Sequence, residues 1–282
     1  MTTFAAKENI PMAENRVLSV QLFSVRDRLA TDLSGTLADL AKQGFRFVEP
    51  FGLGSPGLEP GQRVAIATQV RGVLDGLGLG VSAVHAGLTA ADDLAGSVEL
   101  LARECREFGT DTVFVPHPRL VPGHDENSFA DANRVTDLAR VLTEAADRAT
   151  DLGLRLGYHN HWFEWSDLGD GTTGYQRFWS AAGSALLAEV DMLWARVAGQ
   201  DPGAVVAGLG DRVAAVHLKD GPSVPGAPQT PLGTGVLNVS DLQGAVKNIP
   251  WHVVEIDLTE GDPLDLLGRN AHTLVEQGIS QW

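Results

Sequence analysis

The chain has 282 residues, 44% of them hydrophobic and 20% charged, and no apolar run is long enough to cross a bilayer; this describes a globular protein with a sizeable core and no membrane partner. Its 36 acidic residues against 21 Lys and Arg leave a formal net charge of −15, a field that repels phosphates and argues against nucleic acid as a partner. A single cysteine, Cys105, allows neither an internal disulfide nor a thiolate metal cluster, so the cytoplasm is the expected location. Met1 to Arg16 lacks the apolar stretch of a secretory signal and reads as a loose leader, 1–16, ahead of one domain, 17–282, with Met12 as an alternative start.

From Val17 onward short β-rich runs alternate with helical periodicity in about eight units, the scheme of a parallel sheet with crossover helices. The runs are Val17–Phe23, Phe45–Glu49, Gly80–His85, Thr112–Pro116, Leu154–Asn160, Leu186–Asp191, Val213–Leu218 and Trp251–Asp257. The clearest helices are predicted at Leu33–Gln43, Arg63–Leu77, Asp92–Phe108, Phe129–Leu152 and Pro263–Gln277, rich in Ala, Leu, Arg and Glu. Four times a helix end with Gly leads into the next run, at Gly44, Gly78, Gly109 and Gly153, where the left-handed turn of a helix C′ position is needed. One unit repeated over about 250 residues without a linker predicts a single closed (β/α)8 TIM barrel, an α/β fold. No G-x-G-x-x-G follows an early strand, so an open dinucleotide-binding sheet fits less well.

Barrel enzymes place their chemistry at the C-terminal ends of the strands. Nearly every run finishes there in an ionisable group: Glu49, His85, His117 just after the fourth, His159 and His161, Glu189 and Asp191, His217 and Lys219, Glu255 and Asp257. Side chains two apart share a face of a strand, so these pairs converge if that face is the interior. Mixed imidazole and carboxylate donors suit one divalent ion, Mn, Co, Zn, Fe or Mg, without choosing among them. The aromatic run Trp162-Phe163-Glu164-Trp165 follows the fifth strand and offers ring faces for a sugar or for packing, with Glu164 read as facing solvent. Asp220 and Asp257 read equally well as helix caps. His124, His252, His272 and Cys105 are assigned to packing or surface.

Taken together, Val20-Gln21-Leu22-Phe23-Ser24-Val25-Arg26, Gly44-Phe45-Arg46-Phe47-Val48-Glu49, Gly157-Tyr158-His159-Asn160-His161, Val190-Asp191-Met192-Leu193-Trp194, Val216-His217-Leu218-Lys219-Asp220, Gly233-Thr234-Gly235 and Val254-Glu255-Ile256-Asp257 resemble the sugar phosphate isomerase/epimerase group of xylose-isomerase-like barrels, which includes ketose epimerases and inosose dehydratases. By position, the resemblance implies metal ligands at His159, Asp191, His217 and Glu255. The ketose epimerases have Glu where this chain has His159, a Tyr-His-Asn-His pattern that breaks the symmetric pair of glutamate bases, and Trp194 stands where the group often has His.

The implied chemistry is metal-assisted formation of an enediolate from a keto-sugar or related polyol. Glu255 and His161 are expected to carry protons, and Lys219 to neutralise an oxyanion or, alternatively, to pair with Asp220 or Glu189. Glu49, His85, His117, Trp162 and Trp194 are expected to contact the carbohydrate. Isomerisation or epimerisation is the first expectation. The alternatives are a lyase expelling water or an alcohol from a keto-sugar, keto-glycoside or inosose, and a sugar- or partner-binding barrel without catalysis. An abasic-site endonuclease shares the barrel but is opposed by the charge. The Pro-rich loop Gly221–Leu232 suits a lid or the contact of a homo-oligomer.

Overall fold

The computed structural model describes residues 16–52, 58–88 and 93–282. The leader up to residue 15, with the start at Met12, and the Asp92 start of one predicted helix lie outside the described residues. Arg16, the last residue of that leader, donates its N–H to Ile249 O and its guanidinium to Gly278 O.

Among the described residues nine parallel strand segments form one sheet: β1 (Val17–Gln21), β2 (Phe47–Glu49), β3 (Gly80–Val81), β4 (Val84–His85), β5 (Thr112–Val115), β6 (Arg155–His159), β7 (Leu187–Asp191), β8 (Val213–Leu218) and β9 (Trp251–Val254). Their order is β3-β2-β1-β9-β8-β7-β6-β5-β4. The two end segments are separated along the chain only by Ser82 and Ala83, so they are halves of one stave, β3 pairing with β2 and β4 with β5. The sheet therefore closes through the backbone itself into an eight-stave barrel of the TIM type. Helices α1 (Arg26–Thr31), α2 (Leu33–Lys42), α3 (Pro60–Leu77), α4 (Leu94–Phe108), α5 (Ala132–Asp151), α6 (Gly174–Ala181), α7 (Met192–Val197), α8 (Pro202–Leu209), α9 (Val239–Val246) and α10 (Pro263–Glu276) follow the strands. Among the described residues no helix is long and apolar enough to cross a membrane.

Strands covered on both sides do not alternate between buried and exposed, as β8 shows with all six residues buried, five of them apolar and His217 the sixth. Towards the strand N-termini the interior is filled by Phe47 against Trp251, centroids 4.9 Å apart, and by the buried Phe114. Glycines opposite make room for them. A Cβ on Gly80 would sit 2.5 Å from the Phe47 ring, and one on Gly157 2.6 Å from Phe114 and 2.8 Å from Leu187 O. Gly44, Gly78, Gly109 and Gly153 all take positive φ at the predicted helix ends. Between α3 and α4 a fully buried Arg63 donates to Glu104 at 2.7 Å, and Cys105 next to it is a core residue whose thiol burial pushes up.

The eighth predicted run ends sooner than expected. Val254 is the last residue paired to both neighbours, because β1 gives way after Gln21 to a 3-10 turn, Leu22–Val25. Beyond it Ile256 N–H is taken by Ser24 Oγ and Asp257 N–H by Gln229 Oε1, both at 2.8 Å. Glu255 thus projects from a chain leaving the sheet, at the mouth.

Candidate active site

The mouth is built in two tiers. In the upper tier His159, Asp191, His217 and Glu255, all buried, place one ligand atom each within 4.8 Å of one another, the four residues singled out by position in the sequence. Asp191 and His217 are partners in the register of β7 with β8, and one residue further along β8, Leu218 pairs with Val254 just before Glu255. Parallel pairing therefore sets the cluster.

The lower tier was not fully anticipated. Glu189, one turn of the pleat below Asp191, puts Oε2 2.6 Å from His85 Nε2, 3.0 Å from His159 Nδ1 and 3.2 Å from His217 Nε2. Glu49 Oε1 lies 2.8 Å from His85 Nε2 and 3.2 Å from His217 Nε2, and accepts from Gln21 Nε2 at 2.6 Å. Each upper-tier imidazole thus turns one nitrogen down onto a carboxylate and the other up: His159 Nε2 faces Asp191 Oδ2 at 3.9 Å, and His217 Nδ1 faces Glu255 Oε2 at 2.9 Å. Metal-binding histidines are oriented in this way by carboxylates behind them. Glu49 Oε1 and His85 Nε2 are engaged here, beneath the cluster.

Charge separates the groups. Burial pulls His85 down, but Glu49 and Glu189 outweigh it and raise its pKa to about 9; burial, reinforced by His217, drives His159 to about 3. Burial opposes charge on His217 too, and Glu189 and Glu255 override it. Burial lifts Asp191 to about 6 against the pull of Lys219. Among the described residues five carboxylates, those of Glu49, Glu189, Asp191, Glu255 and Asp257, face at most three charged partners, Lys219, His85 and His217. Glu49 Oε2 and Glu189 Oε1 are buried with no hydrogen-bond partner. A cluster short of positive charge with converging N and O donors fits a divalent ion.

Several side chains stand elsewhere than expected. Lys219 is fully buried and pairs with Asp191, Glu255 and Asp257 at 2.8, 2.5 and 2.6 Å, not with Asp220 or Glu189. Asp220 caps no helix; its carboxylate accepts the N–H groups of Gly221, Gly233, Gly235 and Leu237 and so pins the Pro-rich loop. Asp257 caps no helix either, being bonded to Lys219 and Gln229. Glu164 does not face solvent. It is fully buried, accepts from Tyr158 OH and His161 N–H at 2.9 Å each, and burial pushes its carboxyl up to about 8. The sequence held a cue in the three-residue return from Glu164 to His161 inside an aromatic run, which encloses any polar group it contains.

His161 stands at the rim, one-fifth exposed, with Nδ1 buried 4.0 Å from Glu164 Oε1 without a hydrogen bond and its ring stacked on Phe163 at 5.5 Å. Desolvation, aided by His159, holds it neutral. His117 lies 5.5 Å from the His161 ring and bonds Glu126 at 3.0 Å; burial lowers it to about 4. Trp162 and Trp194 meet at 4.7 Å, and the buried Trp194 leaves Nε1 without a partner. His252, between Ser280 Oγ and Val246 O, and His272, on Gly268 O, keep packing roles.

Comparison with known proteins agrees with this architecture. A family model described as xylose isomerase-like TIM barrel matches residues 37–279. Among solved structures the chain is similar to a sugar phosphate isomerase/epimerase from Parabacteroides distasonis ATCC 8503, with 17% identity over 99% of each chain and a TM-score of 0.75. It is also similar to the probable 3-DHS dehydratase involved in petrobactin synthesis from Bacillus anthracis (14% identity, 92% of this chain and 98% of that one, TM-score 0.65). A third is an L-ribulose 3-epimerase (16%, 94% of each, TM-score 0.59). At such identities the likeness is one of fold. No curated protein matches the chain.

Proposed function

The chain belongs to the xylose isomerase-like TIM-barrel family, and from that premise we propose that residues 17–282 form one catalytic unit, a divalent-metal-dependent isomerase or epimerase of a keto-sugar or related polyol. The observation that carries this reading is the convergence of His159, Asp191, His217 and Glu255 within 4.8 Å in a cluster deficient in positive charge. These four residues would hold the ion; when bound, it supplies Lewis-acid polarisation of a carbonyl and the hydroxyl beside it.

The remaining work falls to the chain's own groups. Glu255, at the top of the cluster, takes the proton from the carbon next to the carbonyl. His161, held neutral by desolvation, moves a proton at the adjacent oxygen. Trp162 and Trp194 lay apolar faces against the C–H groups of the ring and exclude water. His117 steadies the His161 ring from the side.

Elimination of water or an alcohol from the same kind of substrate is the second reading. It is favoured by one observation: Glu255 Oε2 is already shared by His217 and Lys219, which leaves His161 as the unengaged proton carrier, and elimination needs one such group on the leaving side. Incubating Mn-, Co-, Zn- and Mg-loaded protein with keto-sugars and inososes in deuterated water separates the two. Isomerisation or epimerisation incorporates deuterium or yields a product of unchanged formula, while elimination lowers the substrate mass. Neither exchange nor turnover across the panel would overturn the enzymatic reading in favour of a binding barrel.

A further inference from the structure

Lys219 presents a cation to two of the four carboxylate and imidazole ligands. Its Nζ lies 2.8 Å from Asp191 Oδ2 and 2.5 Å from Glu255 Oε2, and its third contact is Asp257 Oδ2 at 2.6 Å. The approaches to Glu255 and Asp257 have hydrogen-bond geometry, whereas the contact with Asp191 is an ion pair without it. The side chain has no exposed surface, and the Trp194 ring lies 4.9 Å from Nζ. Asp257 differs from the other two partners. It stands outside the ligand cluster, its side chain is 27% exposed, and Gln229 grips it twice, Nε2 donating to its Oδ2 at 2.7 Å and Oε1 accepting its N–H at 2.8 Å.

Building on the metal reading above, we propose that Lys219 is a tethered counter-ion that competes with the metal for Asp191 and Glu255, and that Asp257 is a positioning residue that keeps the ammonium when the metal takes those two carboxylates. The physical ground is simple. A dication and an ammonium repel at this separation, and they draw on the same lone pairs. Metal affinity is then a difference between what the ion gains and what the displaced ammonium loses. Asp257, held by Gln229, reduces that loss by retaining one of the three contacts.

The test is Mn2+ binding to the full chain, followed by calorimetry and by the shift in melting temperature, for the wild type, Lys219→Met, Asp257→Asn and the double variant. Removing the competitor is expected to tighten Mn2+ binding at least about tenfold, and removing the parking carboxylate to weaken it by about tenfold, the scale of couplings between contacting charges. In the Lys219→Met background, Asp257→Asn should change affinity less than about twofold, because no ammonium is left to park. Equal affinity of the wild type and Lys219→Met, or an Asp257→Asn effect that persists without Lys219, overturns the proposal and leaves the metal reading standing. Absence of Mn2+, Co2+, Zn2+ and Mg2+ binding in both the wild type and Lys219→Met overturns both. If Lys219→Met folds only with Mn2+, its unpaired carboxylates account for that and the proposal is supported. If it does not fold at all, Asp257→Asn decides, and unchanged affinity there overturns the proposal.

Discussion

Glu189 and Glu164 show how much a single carboxylate's meaning depends on its depth in the barrel. Glu189 sits one pleat below Asp191 on the same strand face, and there it becomes the group that orients His85, His159 and His217. Glu189→Gln keeps the shape but replaces a charged acceptor with an amide, and metal affinity is expected to fall about 10–100-fold, the usual effect of losing a carboxylate behind a metal-bound imidazole. Calorimetric titration with Mn2+ checks this, and an unchanged affinity would remove Glu189 from the site. Glu164 makes a pH prediction. Its folded pKa of about 8 lies above the ordinary carboxylate value, so between roughly pH 4.5 and 8 the folded state holds a proton that the unfolded state has released. Its contribution to stability is therefore fully present below about pH 4.5 and is lost as the pH rises through 8. Urea unfolding at a series of pH values should show that decline reduced in Glu164→Gln, and parallel profiles for the two proteins would exclude it.

At the scale of elements, the alternation of runs and helices made the barrel legible because each parallel stave is buried on both faces and each return needs a helix of limited length. All eight predicted runs contain observed strand, and their ends moved only where pairing stopped, as at Val254. The four residues to which the resemblance points come together because parallel register places strand ends side by side. Burial of Glu164, the partners of Lys219 and the role of Asp220 were not visible, because they depend on how loops fold back, which no period records. The loop after β8 illustrates this. Asp220 accepts four backbone N–H groups from it, and Gly235 approaches so closely that a Cβ would lie 2.3 Å from Asp220 Oδ1. Asp220→Ala strands those donors, each worth about 1–3 kcal/mol when buried and unmet, with water recovering part, so a loss of about 2–4 kcal/mol is expected. Urea denaturation measures the loss, and limited proteolysis should cut between Gly221 and Leu237 first. A variant as stable and as resistant as the wild type would deny Asp220 this part.

The whole molecule carries a net charge of −15, which acts on stability through two opposed effects of salt. Surface ion pairs such as Arg28–Asp39, Arg140–Asp137 and Arg148–Glu144 are weakened by screening. Exposed pairs of this kind contribute only about 0–1 kcal/mol each, and their short separations leave them less screened than charges farther apart. The surplus of acidic groups repels across the entire barrel, and that long-range part is what salt removes, as the Debye length contracts from about 30 Å at 0.01 M to about 8 Å at 0.15 M. Self-repulsion therefore prevails, and the melting temperature should rise by a few degrees between about 10 and 200 mM NaCl at neutral pH, with most of the gain at the low end. The rise should shrink as the pH is lowered towards the isoelectric point near 4.8, where the surplus is neutralised. A melting temperature that falls with salt would mean that the surface pairs outweigh the field. The field would then also be too weak to account for the expected indifference of this chain to nucleic acid, which direct titration with a duplex at low salt would reveal as binding.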